Sequence, residues 1–230
     1  MKTIAVLGGS GPQATMDFEA RVHAVAQRLI PQRGNTGYPP MLVYYHRALP
    51  MLVDEDNKPL VPRQVDPRLL EAVKRLGASA DFLVLTSNAT HQFQQELEQA
   101  SGLNVLSMID LVINEIRQRG WKYVGVLGFG EPTVYLTPLR QLDIACETIS
   151  AELMRQLDQA ILAVMEGRAG EKEASTARIA VERMRLQRVD GTILGCTEIP
   201  LLIGQADRPD FPMFDTVALH VEAAVNFALG

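Results

Sequence analysis

The sequence predicts an α/β protein made of parallel sheets in two related lobes. Three observations carry this. Short apolar runs alternate with longer segments of helical period, the two halves of the chain repeat one another weakly, and a glycine-rich turn follows the first apolar run.

The apolar runs Ile4–Leu7, Met41–Tyr45, Phe82–Leu85, Val124–Leu127 and Thr192–Leu194 are short and rich in Val, Ile and Leu. Buried parallel strands have that composition because both their faces are covered. The segments Asp17–Leu29, Pro67–Leu76, Gln92–Gln99, Ile109–Arg119 and Ala151–Met165 are amphipathic at helical period, and several close at Gly77, Gly102, Gly120 or Gly167. Strand, helix, strand in succession is the βαβ unit of a parallel sheet.

The repeat aligns Lys2-Thr3-Ile4-Ala5-Val6-Leu7-Gly8 with Lys122-Tyr123-Val124-Gly125-Val126-Leu127-Gly128, and Asp81-Phe82-Leu83-Val84-Leu85 with Asp190-Gly191-Thr192-Ile193-Leu194. In this register Ser87 and Cys196 are equivalent, each six residues beyond its aspartate. Each lobe is then expected to give the residue just past one strand's carboxyl end to a shared cleft, the place where open α/β sheets bind ligands. The expected lobes are 1–107 with 214–230, and 108–213.

Composition narrows the function. With 230 residues and 47% hydrophobic content, the chain can bury one core or two small ones, and it is too apolar for disorder. Its net charge is −5 and its Lys and Arg residues are scattered, so no basic stripe exists to meet a nucleic acid backbone. The apolar start is cut by Gly8-Gly9-Ser10-Gly11-Pro12, far short of a signal peptide or membrane span, so a cytoplasmic protein with no membrane partner is expected. Its two cysteines, Cys146 and Cys196, read as free thiols. A small-molecule partner remains.

The turn Gly9-Ser10-Gly11-Pro12-Gln13-Ala14 fits the dinucleotide pattern G-x-G-x-x-A. That pattern also needs an acidic residue after the second strand, where this chain has His46 and Arg47, so only a 2′-phosphate cofactor would suit it. Pro12 suits a first helical position, and Thr15 with nearby amides can hold a carboxylate as well as a phosphate. Anion binding is the inference, with a purely structural turn as its rival.

Two strand ends carry polar turns, Thr86-Ser87-Asn88-Ala89-Thr90-His91 and Gly195-Cys196-Thr197-Glu198-Ile199-Pro200. A cysteine among the amide dipoles of such a turn is expected to have a lowered pKa, making Cys196 a base or nucleophile. Cys146, beside Leu142-Asp143-Ile144-Ala145, reads as an inert packed thiol.

At these motifs the sequence resembles the aspartate/glutamate racemase family over nearly its whole length. Gly8-Gly9-Ser10-Gly11-Pro12-Gln13-Ala14-Thr15 resembles the opening loop, Ser87-Asn88-Ala89-Thr90-His91 the first active-site turn, Gly195-Cys196-Thr197-Glu198 the second, and Pro212-Met213-Phe214-Asp215-Thr216-Val217-Ala218-Leu219-His220 the closing segment. The resemblance implies two pseudo-symmetric, flavodoxin-like α/β lobes with the active site in the cleft between them. It also implies a homodimer and an enzyme that works without pyridoxal phosphate or any other cofactor.

The family's chemistry uses two cysteines on opposite faces of an amino acid's α-carbon, because inversion through a planar carbanion needs a base on one face and an acid on the other. Here the first position is Ser87, so Cys196 and Ser87 are the expected catalytic residues, with His91 as proton-relay support, since a hydroxyl needs an assisting neighbour. Gly9, Ser10, Thr15, Arg47, Asn88, Ala89, Thr90, Thr197 and Glu198 are the expected contacts to an amino-acid or dicarboxylate substrate. Members acting on dicarboxylic amino acids often have Pro-Asp-Arg after the second strand, where this chain has Pro50-Met51-Leu52. Arg47 is the expected substitute. A lone second cysteine also resembles the arylmalonate decarboxylases, and a weakly catalytic, ligand-binding relative is a further alternative.

The other singled-out residues have plain readings. His23 and His46 read as surface or hydrogen-bonded groups, Trp121 as a packing residue, Glu198 as a helix cap or an orienter of ammonium, and residues 54–58 as a solvated charged loop. No His, Cys, Asp and Glu set has metal-ligand spacing, so no metal is expected.

Overall fold

The computed structural model describes residues 1–56 and 58–230 and shows two compact units. The first comprises Met1–Ser107 with Val221–Gly230, and the second Met108–His220.

The first unit runs β1 (Ile4–Gly8), α1 (Pro12–Leu29), β2 (Met41–Tyr45), α2 (Pro67–Gly77), β3 (Phe82–Leu85) and α3 (Gln94–Ser101). Its three strands are parallel in the order β2-β1-β3. Every residue of β1 and β3 is buried, whereas β2, on the edge, alternates between half-buried and exposed. The unbroken apolar runs of β1 and β3 match that two-sided burial, while β2 is equally apolar in sequence but lies on the edge. Helix α2 shows how local sequence sets an element. Asp66 caps it by accepting from Arg68 N at 2.8 Å, Pro67 opens it, and Leu69, Ala72, Val73 and Leu76 form the stripe that packs on Ala5, Leu7, Leu83 and Leu85.

The second unit runs α4 (Met108–Gln118), β4 (Tyr123–Leu127), α5 (Thr133–Gln141), β5 (Ala145–Glu147), α6 (Ala151–Met165), α7 (Glu171–Leu186), β6 (Gly191–Leu194), β7 (Met213–Asp215) and α8 (Thr216–Leu229), which passes into the first unit at Val221. Its parallel sheet has the order β5-β4-β6-β7. Because β7 pairs with β6, residues 213–215 lie in this sheet, so the division falls at Val221 and not at 214. Trp121 is a packing residue, stacked on Phe214 with ring centroids 4.7 Å apart.

The internal repeat reappears as matched hydrogen bonds. Leu7 pairs with Leu85 in one sheet and Leu127 with Leu194 in the other. Asp81 Oδ2 accepts from Thr3 N at 2.6 Å, while Asp190 Oδ2 accepts from Lys122 N at 2.8 Å and Tyr123 N at 3.0 Å. Past the strands, Thr86 N donates to Leu7 O and Gly195 N to Leu127 O. The first unit even carries a vestige of the fourth strand, a single parallel bridge between Leu83 and Val105.

Among the described residues no helix is long and apolar enough to cross a membrane. The charged loop is a turn in which Asp54 Oδ1 accepts from Asp56 N and Lys58 N, both at 2.9 Å; Asn57 lies outside the described residues.

Candidate active site

In the first unit the carboxyl ends of β1, β2 and β3 are tied together around the glycine turn. Gly9 has a φ of +95°, and a Cβ there would lie 2.6 Å from His46 N, so the turn requires glycine on both counts. His46 N donates to Gly8 O at 2.7 Å. Pro12 is the first residue of α1, as expected. Thr15, expected to touch substrate, is fully buried and works inside the turn. Its hydroxyl accepts from Gly9 N at 2.9 Å, donates to Gly11 O at 3.2 Å and meets Thr86 Oγ1 at 2.9 Å. Ser10 is half-exposed on the same turn.

Ser87 follows β3 and is half-buried, its hydroxyl without a hydrogen-bond partner among the described residues. His91 reaches it differently from the expected relay. The His91 Nδ1 donates to the Ser87 carbonyl at 2.9 Å, so this nitrogen binds the backbone and not the hydroxyl. Asn88 and Thr90 are buried beside it, while Ala89 is exposed where a 3₁₀ turn begins. Arg47 is exposed, its guanidinium 4.7 Å over the Tyr45 ring. Tyr45 donates to Glu19 Oε1 at 2.7 Å, and burial and that carboxylate push its pKa up to about 12. The segment after β2 turns back into the fold, with Met51 bridged to Val65 and packed on the core.

In the second unit Cys196 follows β6 through Gly195, where a Cβ would lie 2.8 Å from Leu127 O. The Cys196 thiol is buried and donates to Glu198 Oε2 at 3.0 Å; Thr197 Oγ1 donates to the same oxygen at 3.2 Å. Glu198 Oε1 is buried without a partner among the described residues. Glu198 stands at the N-cap position of the 3₁₀ turn Ile199–Leu201, but its side chain makes no cap hydrogen bond there. It is the acceptor of the thiol.

The electrostatics reverse the expectation for Cys196. Burial first, then the Glu198 charge and its hydrogen bond, then Asp158, push the thiol's pKa well above its ordinary value. The turn's dipoles are outweighed by desolvation and by the negative charges around the sulfur. Burial likewise raises Glu198, and raises the fully buried Tyr135 phenol, which senses the Cys196 charge. Asp158, which accepts from Gly130 N at 2.8 Å, is also raised by burial. Tyr135 and Asp158 sit on α5 and α6, and no local motif marks them. Cys146 lies on the edge strand β5, half-buried, with burial raising its pKa.

Both strand ends thus present a short nucleophilic or acidic group at matching topological positions, one hydroxyl and one thiol. Among the described residues no group of three or more His, Cys, Asp and Glu is placed to hold a metal ion.

Comparisons with known proteins agree with this layout. The chain is 25% identical over 231 residues to the broad specificity amino-acid racemase RacX of Bacillus subtilis, covering 97% of this chain and 96% of that one. The aspartate racemase of Picrophilus torridus superposes with a TM-score of 0.77 at 20% identity, covering 99% of this chain and 94% of that one. An aspartate racemase homologue from Pyrococcus horikoshii OT3 gives 0.75 at 22% identity, with both chains covered in full. The Asp/Glu/Hydantoin racemase model matches residues 7–224, and the chain belongs to that family.

Proposed function

We propose that the protein is an amino-acid racemase that needs no pyridoxal phosphate, with the Cys196–Glu198 pair serving one face of the substrate's α-carbon and the Ser87 hydroxyl the other. The observation that carries this is the buried thiol donating to a buried carboxylate at 3.0 Å. Family membership and a racemase relative of matching length support the reaction class.

The proton traffic follows from that contact. Cys196 rests as a thiol. To act as a base it passes its proton to Glu198 Oε2, and the thiolate then takes the α-proton while the electron pair stays on the α-carbon, spread into the substrate carboxylate. Each pKa unit by which the thiol exceeds the carboxyl costs about 1.4 kcal/mol in this transfer. The raised pKa of Glu198 reduces that cost, because a carboxyl already disfavoured as an anion accepts a proton more readily. A proton delivered by Ser87 completes inversion; solvent then returns a proton to Ser87 as Glu198 gives up the one it took, which restores the thiol beside its carboxylate. In the opposite direction Ser87 is the weaker base, since a hydroxyl gives up its proton far less readily than a thiol. The substrate is an amino acid, with a dicarboxylic one the leading candidate, and the working unit is a homodimer.

The protonated resting state of Cys196 also favours a second reading, delivery of a proton to a carbanion left by loss of CO₂. Chiral analysis of D- and L-aspartate and of a broader amino-acid panel, beside an arylmalonate, separates the two. The racemase reading expects interconversion of enantiomers without added cofactor and no CO₂ release. Decarboxylation without interconversion overturns it.

A further inference from the structure

His46 is read from the sequence as a surface or hydrogen-bonded group, and the structure contradicts this. It is only 5% exposed, and its Nε2 is buried without a hydrogen-bond partner among the described residues. A buried polar atom without a partner is uncommon because it has given up water for nothing, so it calls for an explanation in what the protein binds. Its place suggests one. His46 stands at the carboxyl end of β2, pinned by its own N–H to Gly8 O, against the Gly9 turn and on the same sheet end as Ser87. Loops at that end of a parallel sheet are where ligands bind.

The surroundings define the ligand's chemistry. Asp66 lies close enough to His46 for their charges to interact, its carboxyl held below the usual range chiefly by hydrogen bonds from Arg68, with the charge of His46 adding to the effect. Asp66 is itself almost fully buried, so this anion is a fixed part of the environment. An imidazole can present Nε2 as an N–H donor, and the carboxylate and carboxamide oxygens of amino-acid side chains are acceptors that would meet it. Arg47, the neighbouring cation, is exposed over Tyr45, which leaves His46 as the buried polar side chain at this strand end.

We infer that His46 is a specificity-determining residue whose Nε2 donates to a carboxylate or carboxamide oxygen on the side chain of the substrate. This rests on the racemase reading above. The substrates favoured are acidic and amide amino acids rather than apolar ones.

The test measures α-proton exchange in heavy water by NMR for aspartate, asparagine, alanine and leucine, with the native protein and the His46→Gln, His46→Asn and His46→Leu variants. Thermal midpoints report folding. The native protein is expected to favour aspartate and asparagine. The ratio of kcat/KM for aspartate to that for alanine should fall at least tenfold in His46→Leu and His46→Asn, mainly through KM. His46→Gln, which keeps a donor at similar reach, should hold the ratio within about threefold. An equal fall for all four substrates, or an unchanged ratio, overturns the inference and leaves the racemase reading standing. No exchange by the native protein on any amino acid overturns both.

Discussion

The Cys196 thiol donates to Glu198 Oε2 at 3.0 Å, a contact that steadies the carboxylate and makes the thiol harder to ionise. Both groups are buried, so the pair holds one proton between them far more readily than it would lose it. From this pairing come the predictions about catalysis.

Glu198→Gln keeps the shape of the pair and removes its proton acceptor. Amino-acid turnover should fall about 10²- to 10⁴-fold, the usual range for a lost acid–base group. The Cys196 pKa should fall at the same time, because a negative neighbour is gone. Alkylation by iodoacetamide against pH would show more thiolate at a given pH beside less activity. A variant with lost activity and an unmoved thiol profile would count against the pairing.

Ser87→Cys should restore a second thiol at the position equivalent to Cys196. A thiolate is accessible near neutral pH where a serine alkoxide is not. Racemisation should speed up at least tenfold, read as kcat/KM from initial rates with each enantiomer, and by the same factor in both directions because the equilibrium ratio of enantiomers cannot change. An unchanged or lower rate would contradict the placing of residue 87 opposite Cys196.

Stability should decline at alkaline pH in a way that depends on Cys196. A thiol whose folded pKa is raised binds its proton more tightly than in the unfolded chain. Its contribution is thus complete below the free value of about 8.5 and is lost as pH rises from there toward the folded value. The fully buried Tyr135, also raised, acts with the same sign at higher pH. Melting temperatures from pH 7 to 10 should fall less steeply in Cys196→Ala than in the native protein. A parallel decline would show that the thiol is not held as inferred.

Gly9→Ala should destabilise the first unit by about 2 kcal/mol or more, since it combines a positive φ with a Cβ placed 2.6 Å from the His46 backbone. Chemical denaturation measures this. A loss below about 0.5 kcal/mol would mean that the turn is freer than its contacts indicate.

The sequence made the sheets legible because β1, β3, β4 and β6 are buried almost throughout and so must be apolar. The repeat register placed Ser87 and Cys196 at matching strand ends, as the pairings Leu7–Leu85 and Leu127–Leu194 require. Other features left no such mark. Strands β5 and β7 are three residues each, too short for a period to show. Helix α7 buries a stripe of Ala177, Ala180, Val181 and Met184, whose small residues are faint against its charges. The direction of the Cys196 pKa, the internal role of Thr15 and the burial of His46 depend on the fold: for the thiol chiefly burial, beside the Glu198 of its own motif and the distant Asp158, and for the imidazole the packing against Gly8 and Asp66. Local motifs report the turn and not the field around it.

The most direct test of the thiol–carboxylate account is deuterium incorporation at the α-carbon of a single enantiomer of aspartate in heavy water, followed by NMR for the native protein and for Cys196→Ala. The account predicts steady incorporation without added cofactor by the native protein, and a loss of at least about 10³-fold in the variant with its fold intact. Incorporation that continues at the native rate without the Cys196 thiol would contradict it.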